Sequence, residues 1–192
     1  IRLSLVGSEM CIRDSLCRVA DPRLWFLLPA RQMPPRPMES IVVTKPYKDD
    51  VTARQCWDDL EAGGDAFLID VRTLAEWTYV GFPLLPEAAK DPLFVEWQSY
   101  PSMSVNPAFV ERVAATVEER GGSRQSRLYF LCRSGARSMA SAAAMSVAGF
   151  AESFNILDGF EGPPDTDGHR GRVAGWKAEG LTWVQKLSLI HI

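Results

Sequence analysis

Leu128-Tyr-Phe-Leu-Cys-Arg-Ser-Gly-Ala-Arg-Ser138 decides the reading of this chain. Leu128 to Leu131 is an apolar run of the length and pattern of a buried strand, and Cys132 ends it. Cys132 to Arg137 is a tight polar loop containing Gly135. Ser138 to Val147 reads as a small-residue helix, stopped by Gly149. A strand that passes to a helix across so short a loop brings the loop amides and the first free helix N–H groups toward one point. The helix dipole adds positive potential there, and Arg133 and Arg137 add full charges. Such a field favours a thiolate at neutral pH. It also stabilises an anionic adduct on the same sulfur. A buried cysteine at a strand end is usually inert. The spacing C-R-x-G-x-R, set between strand and helix, is what points to chemistry.

The same alternation extends outward. Ala66-Phe-Leu-Ile-Asp-Val71 is a second short apolar run, ending in a charge, as buried parallel strands do at a functional edge. Pro92-Leu-Phe-Val-Glu-Trp97 and Ser153-Phe-Asn-Ile156 are further strand candidates, and Ile41-Val-Val-Thr44 a short edge strand. Thr52 caps a helix over 53–62 that Gly63-Gly64 closes. Thr73 to Trp77 makes one helical turn. Asn106, with Pro107 in first position, opens a helix running to Arg120. Strands alternating with helices predict an α/β fold with a mainly parallel central sheet and helices on both faces.

Composition sets wide bounds. The chain has 192 residues, a formal net charge of -3, 46% hydrophobic and 23% charged residues, values of a soluble globular chain without a general pull toward nucleic acid or anionic membrane. No stretch has the length of a membrane-spanning helix. Cys11, Cys17, Cys56 and Cys132 fit neither a zinc ribbon nor a disulfide scaffold, and His169 and His191 give a metal site or Cys-His dyad little to work with.

The two ends resemble one translated sequencing-library adapter read on opposite strands. Leu187-Ser-Leu-Ile-His-Ile192 can be encoded by CTG TCT CTT ATA CAC ATC, whose reverse complement lies in one coding of Glu9 to Ser15. Residues 1–15 and 187–192 are therefore expected to be foreign to the natural protein. Residues 16–44 are an uncertain lead-in, with Met33 and Met38 as plausible initiators, and 45–186 the domain. Leu24-Trp-Phe-Leu-Leu28 is too short, before Pro29, for a good signal-peptide core, and a cytoplasmic protein is expected.

The loop around Cys132 resembles the active-site loop of rhodanese-like domains. Leu68-Ile-Asp-Val-Arg-Thr-Leu-Ala-Glu-Trp77 is similar to the family's D-V-R-x-x-x-E-[FW] block. Asn155-Ile-Leu-Asp-Gly-Phe-Glu161 is similar to its Gly-rich turn after the last strand. Gly168-His-Arg-Gly171 and Gly175-Trp-Lys177 resemble the tail of a bacterial single-domain group, as do Val95-Glu-Trp-Gln98 and Val105-Asn-Pro107. The resemblance implies a sulfurtransferase in which Cys132 takes the outer sulfur of thiosulfate or a persulfide and passes it to a second nucleophile. It implies that residues Arg133, Ser134, Gly135, Ala136, Arg137 and Ser138 hold the persulfide, that Arg133 and Arg137 bind the anionic donor, and that no cofactor or metal is needed. Expected partners are a small sulfur donor and a thiol or protein acceptor, with neither nucleic acid nor membrane. One departure is Val80-Gly-Phe-Pro83, where many relatives carry a Gly-His-Ile-Pro-type segment.

Other residues have blander readings. Asp70 and Arg72 either order the catalytic loop or form a structural ion pair. Glu76 is expected to hold a backbone amide or an arginine. Cys56 reads as core, His169 and Arg170 as part of a polar loop with Asp165 and Asp167, and Trp176 and Trp183 as packing for the tail. Two rivals differ in class. Phosphatases and arsenate reductases use C-x5-R, whereas Cys132 and Arg137 are spaced C-x4-R, a loop suited to one sulfur rather than a tetrahedral oxyanion. A non-catalytic binding module would have less reason to keep Cys132 and both arginines.

Overall fold

The computed structural model describes residues 45–185, in which helices and strands alternate as their sequences require. In chain order the elements are β1 (Asp49–Val51), α1 (Ala53–Glu61), β2 (Ala66–Asp70), α2 (Leu74–Tyr79), β3 (Phe82–Pro83), β4 (Leu93–Phe94), β5 (Gln98–Ser99), β6 (Ser104–Val105), α3 (Phe109–Glu119), β7 (Arg127–Leu131), α4 (Ala136–Val147), β8 (Ser153–Ile156) and β9 (Trp183–Val184). The central sheet has the order β1-β8-β7-β2-β4, and every pairing in it is parallel. The expected α/β class with a mainly parallel sheet is therefore observed.

Burial on both faces explains why β2 and β7 read as unbroken apolar runs. Phe67 and Ile69 of β2 lie beside Leu128 and Phe130 of β7 and pack under α3 and α4. Leu68, Tyr129 and Leu131 point the other way, toward α1, Phe160 and Trp176. Phe67 and Phe130 are fully buried, and each such side chain contributes about 2–3 kcal/mol of transfer free energy. Helices thus cover both faces.

Local capping chemistry sets the helix starts. Thr52 and Thr73 both form capping boxes, with Gln55 and Glu76 as reciprocal partners. The α3 start differs from expectation. The Asn106 side chain accepts from Ala108 N–H and donates to Glu96 carbonyl, so it holds a turn before the helix, which begins at Phe109. Only Leu93–Phe94 of the 92–97 run is strand, because β4 lies at the sheet edge and has β2 as its one neighbour. The edge on the other side is β1. The Ile41 to Thr44 strand candidate, the lead-in and both adapter-like ends lie outside the described residues.

Two small pairings complete the frame. β5 and β6 make an antiparallel hairpin, and β3 pairs with β9 of the tail. Gly81, before β3, has φ +98°, and a Cβ there would meet the Trp183 ring at about 3.0 Å. The departure at Val80–Pro83 is thus where the tail is received. No helix among the described residues is long and apolar enough to cross a membrane.

Candidate active site

Cys132 lies at the C-terminal end of β7, in the middle of the sheet, where ligands of open parallel sheets bind. Its Sγ accepts a hydrogen bond from Gly135 N–H at 3.1 Å. Gly135 is the N-cap of α4 and has φ +100°, a left-handed conformation that lets the loop turn back over the sulfur. Ser138 Oγ lies 3.2 Å from Sγ, and this hydroxyl is also 2.9 Å from Gly135 carbonyl and 2.7 Å from Asn155 Oδ1. Cys132 itself is buried, yet it floors a cleft of about 640 Å³. Arg133, Ser134, Ala136 and Arg137 line that cleft from the loop; Gly135 and Ser138 support the sulfur from beneath.

No family model matches the chain. The crystal structure of Rv0390 from Mycobacterium tuberculosis superposes with TM-score 0.62 and 40% identity, over 73% of this chain and 99% of that one. The chain belongs to the rhodanese-like family. A Rickettsia rickettsii homologue of the uncharacterized protein RP600 is 33% identical over 134 residues, 70% of this chain and 95% of its own length. RP600 of Rickettsia prowazekii is 31% identical over the same span. The 30 kDa polysulfide-sulfur transferase homodimer of Wolinella succinogenes aligns at 18% identity and TM-score 0.47, over 73% of this chain and 80% of that one, a likeness too slight to weigh.

The rhodanese-like loop is propped from two sides. On one, Arg137 makes a bidentate pair with Glu76 of α2, at 2.8 and 2.6 Å. The Glu76 carboxylate also accepts from Thr73 N–H and hydroxyl. Burial alone would push this carboxyl up, but Arg137 and Thr73 outweigh it and hold it down, from an ordinary 4.5 to about 2. Because the folded value lies below the unfolded one, the pair's stabilisation is full above about pH 4.5 and is lost as pH falls toward 2. Glu76→Gln is expected to lower stability at pH 7 by about 2 kcal/mol. It should also flatten the loss between pH 4.5 and 2, read from urea midpoints beside the wild type.

On the other side, the turn after β8 hydrogen-bonds the loop backbone. Phe160 N–H donates to Cys132 carbonyl, and Glu161 and Gly162 N–H donate to Arg133 carbonyl. Gly159, at φ +57°, makes this approach possible, since a Cβ would press on Cys132 carbonyl oxygen and lie 2.7 Å from Arg133 C and 2.8 Å from Ser134 N. These contacts are rigid backbone. Gly159→Ala is expected to cost about 2–3 kcal/mol in urea unfolding and to slow iodoacetamide labelling of Cys132 by shifting its cradle.

Asp70 and Arg72, fully buried at the end of β2, pair with each other. Arg72 Nη2 donates to Asp70 and to Gly81 carbonyl, and its guanidinium lies 4.0 Å over the Phe160 ring. Neither side chain hydrogen-bonds the 132–138 loop, so the structural pairing describes them better than loop ordering. Cys56 is fully buried, and burial pushes its thiol well above the usual range. Trp176 is buried against Trp57 and donates to Thr182 carbonyl.

Several cleft residues were not legible beforehand. Tyr100 and Met103, both exposed, come from the β5–β6 hairpin, and Glu161 and Arg170 from the tail. Nothing in their local pattern places them beside Cys132, which is more than 25 residues away in each case along the chain or across a polar turn. Among the described residues, Asp165, Asp167 and His169 cluster as potential cation ligands. Asp165 already accepts from the Asp167 and His169 amides and pairs with Arg172, which accounts for the cluster as a loop lock.

Proposed function

We propose that the protein is a sulfurtransferase moving a sulfane sulfur from thiosulfate or a persulfide donor to a thiophilic acceptor, through a persulfide on Cys132. The observation that carries this reading is the Cys132 sulfur itself, cradled by Gly135 N–H at 3.1 Å on the floor of an arginine-lined cleft.

In the first step the Cys132 thiolate attacks the outer sulfur of the donor. The new Sγ–S bond forms as the donor's S–S bond breaks, and sulfite, or a thiolate from a persulfide donor, leaves with the electron pair. Arg133 and Arg170 line the cleft and can meet the donor's oxyanions, since Arg137 is already held by Glu76. The Gly135 amide, the Ser138 hydroxyl and the start of α4 stabilise the sulfur. In the second step the acceptor attacks the outer sulfur, and Sγ leaves as thiolate, ready for another cycle. Neither step calls for an electron carrier. Thiosulfate has five heavy atoms, and the cleft of about 640 Å³ leaves room for a bulkier thiol or a side chain of an acceptor protein. The cycle needs reduced Cys132, which a cytoplasmic thiol pool maintains. We assign this function to residues 45–186.

Intact mass spectrometry of the reduced full chain tests the reading. Thiosulfate or a persulfide donor should add one sulfur atom, and cyanide should remove it. If neither donor adds mass, sulfur transfer fails and a binding module takes its place.

A further inference from the structure

A buried polar chain leads from Cys132 across the sheet to its far edge. Ser138 Oγ meets Asn155 Oδ1 at 2.7 Å, and Asn155 Nδ2 donates to Asp50 Oδ1 at 2.7 Å. Ser138 and Asn155 are buried, on α4 and β8, while Asp50 sits on the edge strand β1 with a side chain 20% exposed. Asp50 also accepts from Tyr47 hydroxyl at 2.9 Å and pairs with Lys45 at 2.7 Å. Burial pushes its carboxyl up, but Lys45, Asn155 and Tyr47 together hold it below the ordinary range, so at neutral pH it is a pure acceptor.

That fixes the orientation of the Asn155 amide. A carboxylate accepts only, so Asn155 must turn its NH₂ toward Asp50 and its carbonyl toward Ser138. Ser138 has one hydrogen and three acceptors in reach: Asn155 Oδ1, Gly135 carbonyl and Sγ. The two oxygens are nearer and stronger acceptors than a neutral sulfur. With the hydrogen on Asn155, a Ser138 lone pair faces Sγ and can accept from a Cys132 S–H. The resting bonds then run one way, from Cys132 to Ser138 to Asn155 to Asp50. Ionising the sulfur releases its proton to the cleft, and Ser138 must turn its hydrogen to Sγ and leave Asn155 Oδ1 without a donor.

We propose that Asp50 is a positioning residue for Cys132: by orienting Asn155 it draws the Ser138 hydrogen away from Sγ and favours the resting thiol. The device acts against the hydrogen bond that Gly135 N–H donates to the same sulfur. It limits the reactivity of an idle sulfur toward oxidants. The other charges about the cradle are Arg133; Arg137, paired with Glu76; Asp70, paired with Arg72; Asp158 and Glu161 in the turn after β8; and Arg170 from the tail. None of these touches Asn155. The inference rests on Cys132 as the reacting sulfur, but its test reads the thiol directly and needs no sulfur transfer.

The experiment is the rate of Cys132 alkylation by iodoacetamide between pH 6 and 9, resolved by peptide mass spectrometry on the full chain. Asp50→Asn is close in shape and lets residue 50 donate to Asn155 Oδ1. The amide can then turn its NH₂ to Ser138, whose hydrogen moves to Sγ. The neutral-pH rate is expected to rise about three- to tenfold, with the pH profile displaced to lower pH. The same substitution in a Ser138→Ala background should leave the rate unchanged, because the relay is cut. No increase from Asp50→Asn in the otherwise wild-type chain overturns the proposal. So does an equal increase in both backgrounds, which would mean simple removal of a negative charge. Buried Cys56 reports folding in every sample by staying unlabelled. Should Asp50→Asn expose it, Asp50→Ser, whose hydroxyl can also donate to Asn155, carries the same expectation.

Discussion

Cys132→Ser is expected to take up no sulfur from thiosulfate and to show no thiosulfate:cyanide turnover, a loss of at least about 10⁴-fold. The replacement keeps the shape of the site. A serine oxygen can still accept from Gly135 N–H, and stability should change by about 1 kcal/mol or less. What disappears is a polarisable nucleophile that also leaves readily. A serine hydroxyl is almost wholly protonated at neutral pH, and among the described residues no imidazole lines the cleft to take its proton. The neighbouring hydroxyls of Ser134 and Ser138 have the same defect. Cys56 cannot substitute, because it sits on the buried face of α1, away from the residues that line the cleft. Intact mass and a coupled thiocyanate assay, run beside the wild type, measure this directly. Persistent loading of the Ser variant would place the acceptor sulfur elsewhere in the chain and end the assignment of Cys132. Activity lost together with the cooperative unfolding transition would instead indicate a folding defect, which Cys132→Ala would resolve.

The parts of this site that were legible in the sequence are those fixed by local chemistry. Leu128 to Ser138 contains its own strand, turn and helix start, so the nearness of Cys132, Gly135 and Ser138 is written in local sequence. Thr73 and Glu76 declare a capping box three residues apart, and Glu76 proves to hold both the Thr73 amide and Arg137. The remainder depends on contacts far apart in sequence. Gly81 accommodates β9 about a hundred residues later, and Arg170 enters the cleft only because the tail folds back along the 158–162 turn. Asp50 looks like a surface charge until parallel pairing sets it beside Asn155. Asn106 misleads for a different reason: it has the chemistry of a helix cap, but its side chain is used one turn earlier, between Glu96 and Ala108. Local rules state what a residue can do; the sheet register determines which partner it meets.

Asp70→Ala should be the most destabilising single change at the end of β2, costing about 3–5 kcal/mol. It would strip a fully buried guanidinium of its counter-ion. Arg72 Nη1 already has no hydrogen-bond partner among the described residues, so of these only Gly81 carbonyl and the Phe160 face would remain to the guanidinium. Against the 5–15 kcal/mol that holds a typical domain, such a loss brings the variant near its unfolding threshold at 37 °C. The pair does not thereby become a large net source of stability, because both charges had to leave water to form it. Asp70→Ala combined with Arg72→Met should therefore recover much of the loss, since methionine keeps an apolar contact with Phe160 and leaves no charge unpaired. Urea unfolding of the wild type, the single variant and the double variant measures the coupling. The double variant also separates scaffold from chemistry. Neither side chain hydrogen-bonds the 132–138 loop, so a refolded double variant should load sulfur on Cys132 nearly as well as the wild type. If it is stable but does not load, the pair acts on the loop through Phe160, whose amide supports the Cys132 carbonyl. The two readings of Asp70 and Arg72 that the sequence leaves open are thus distinguished by one comparison, made at matched stability.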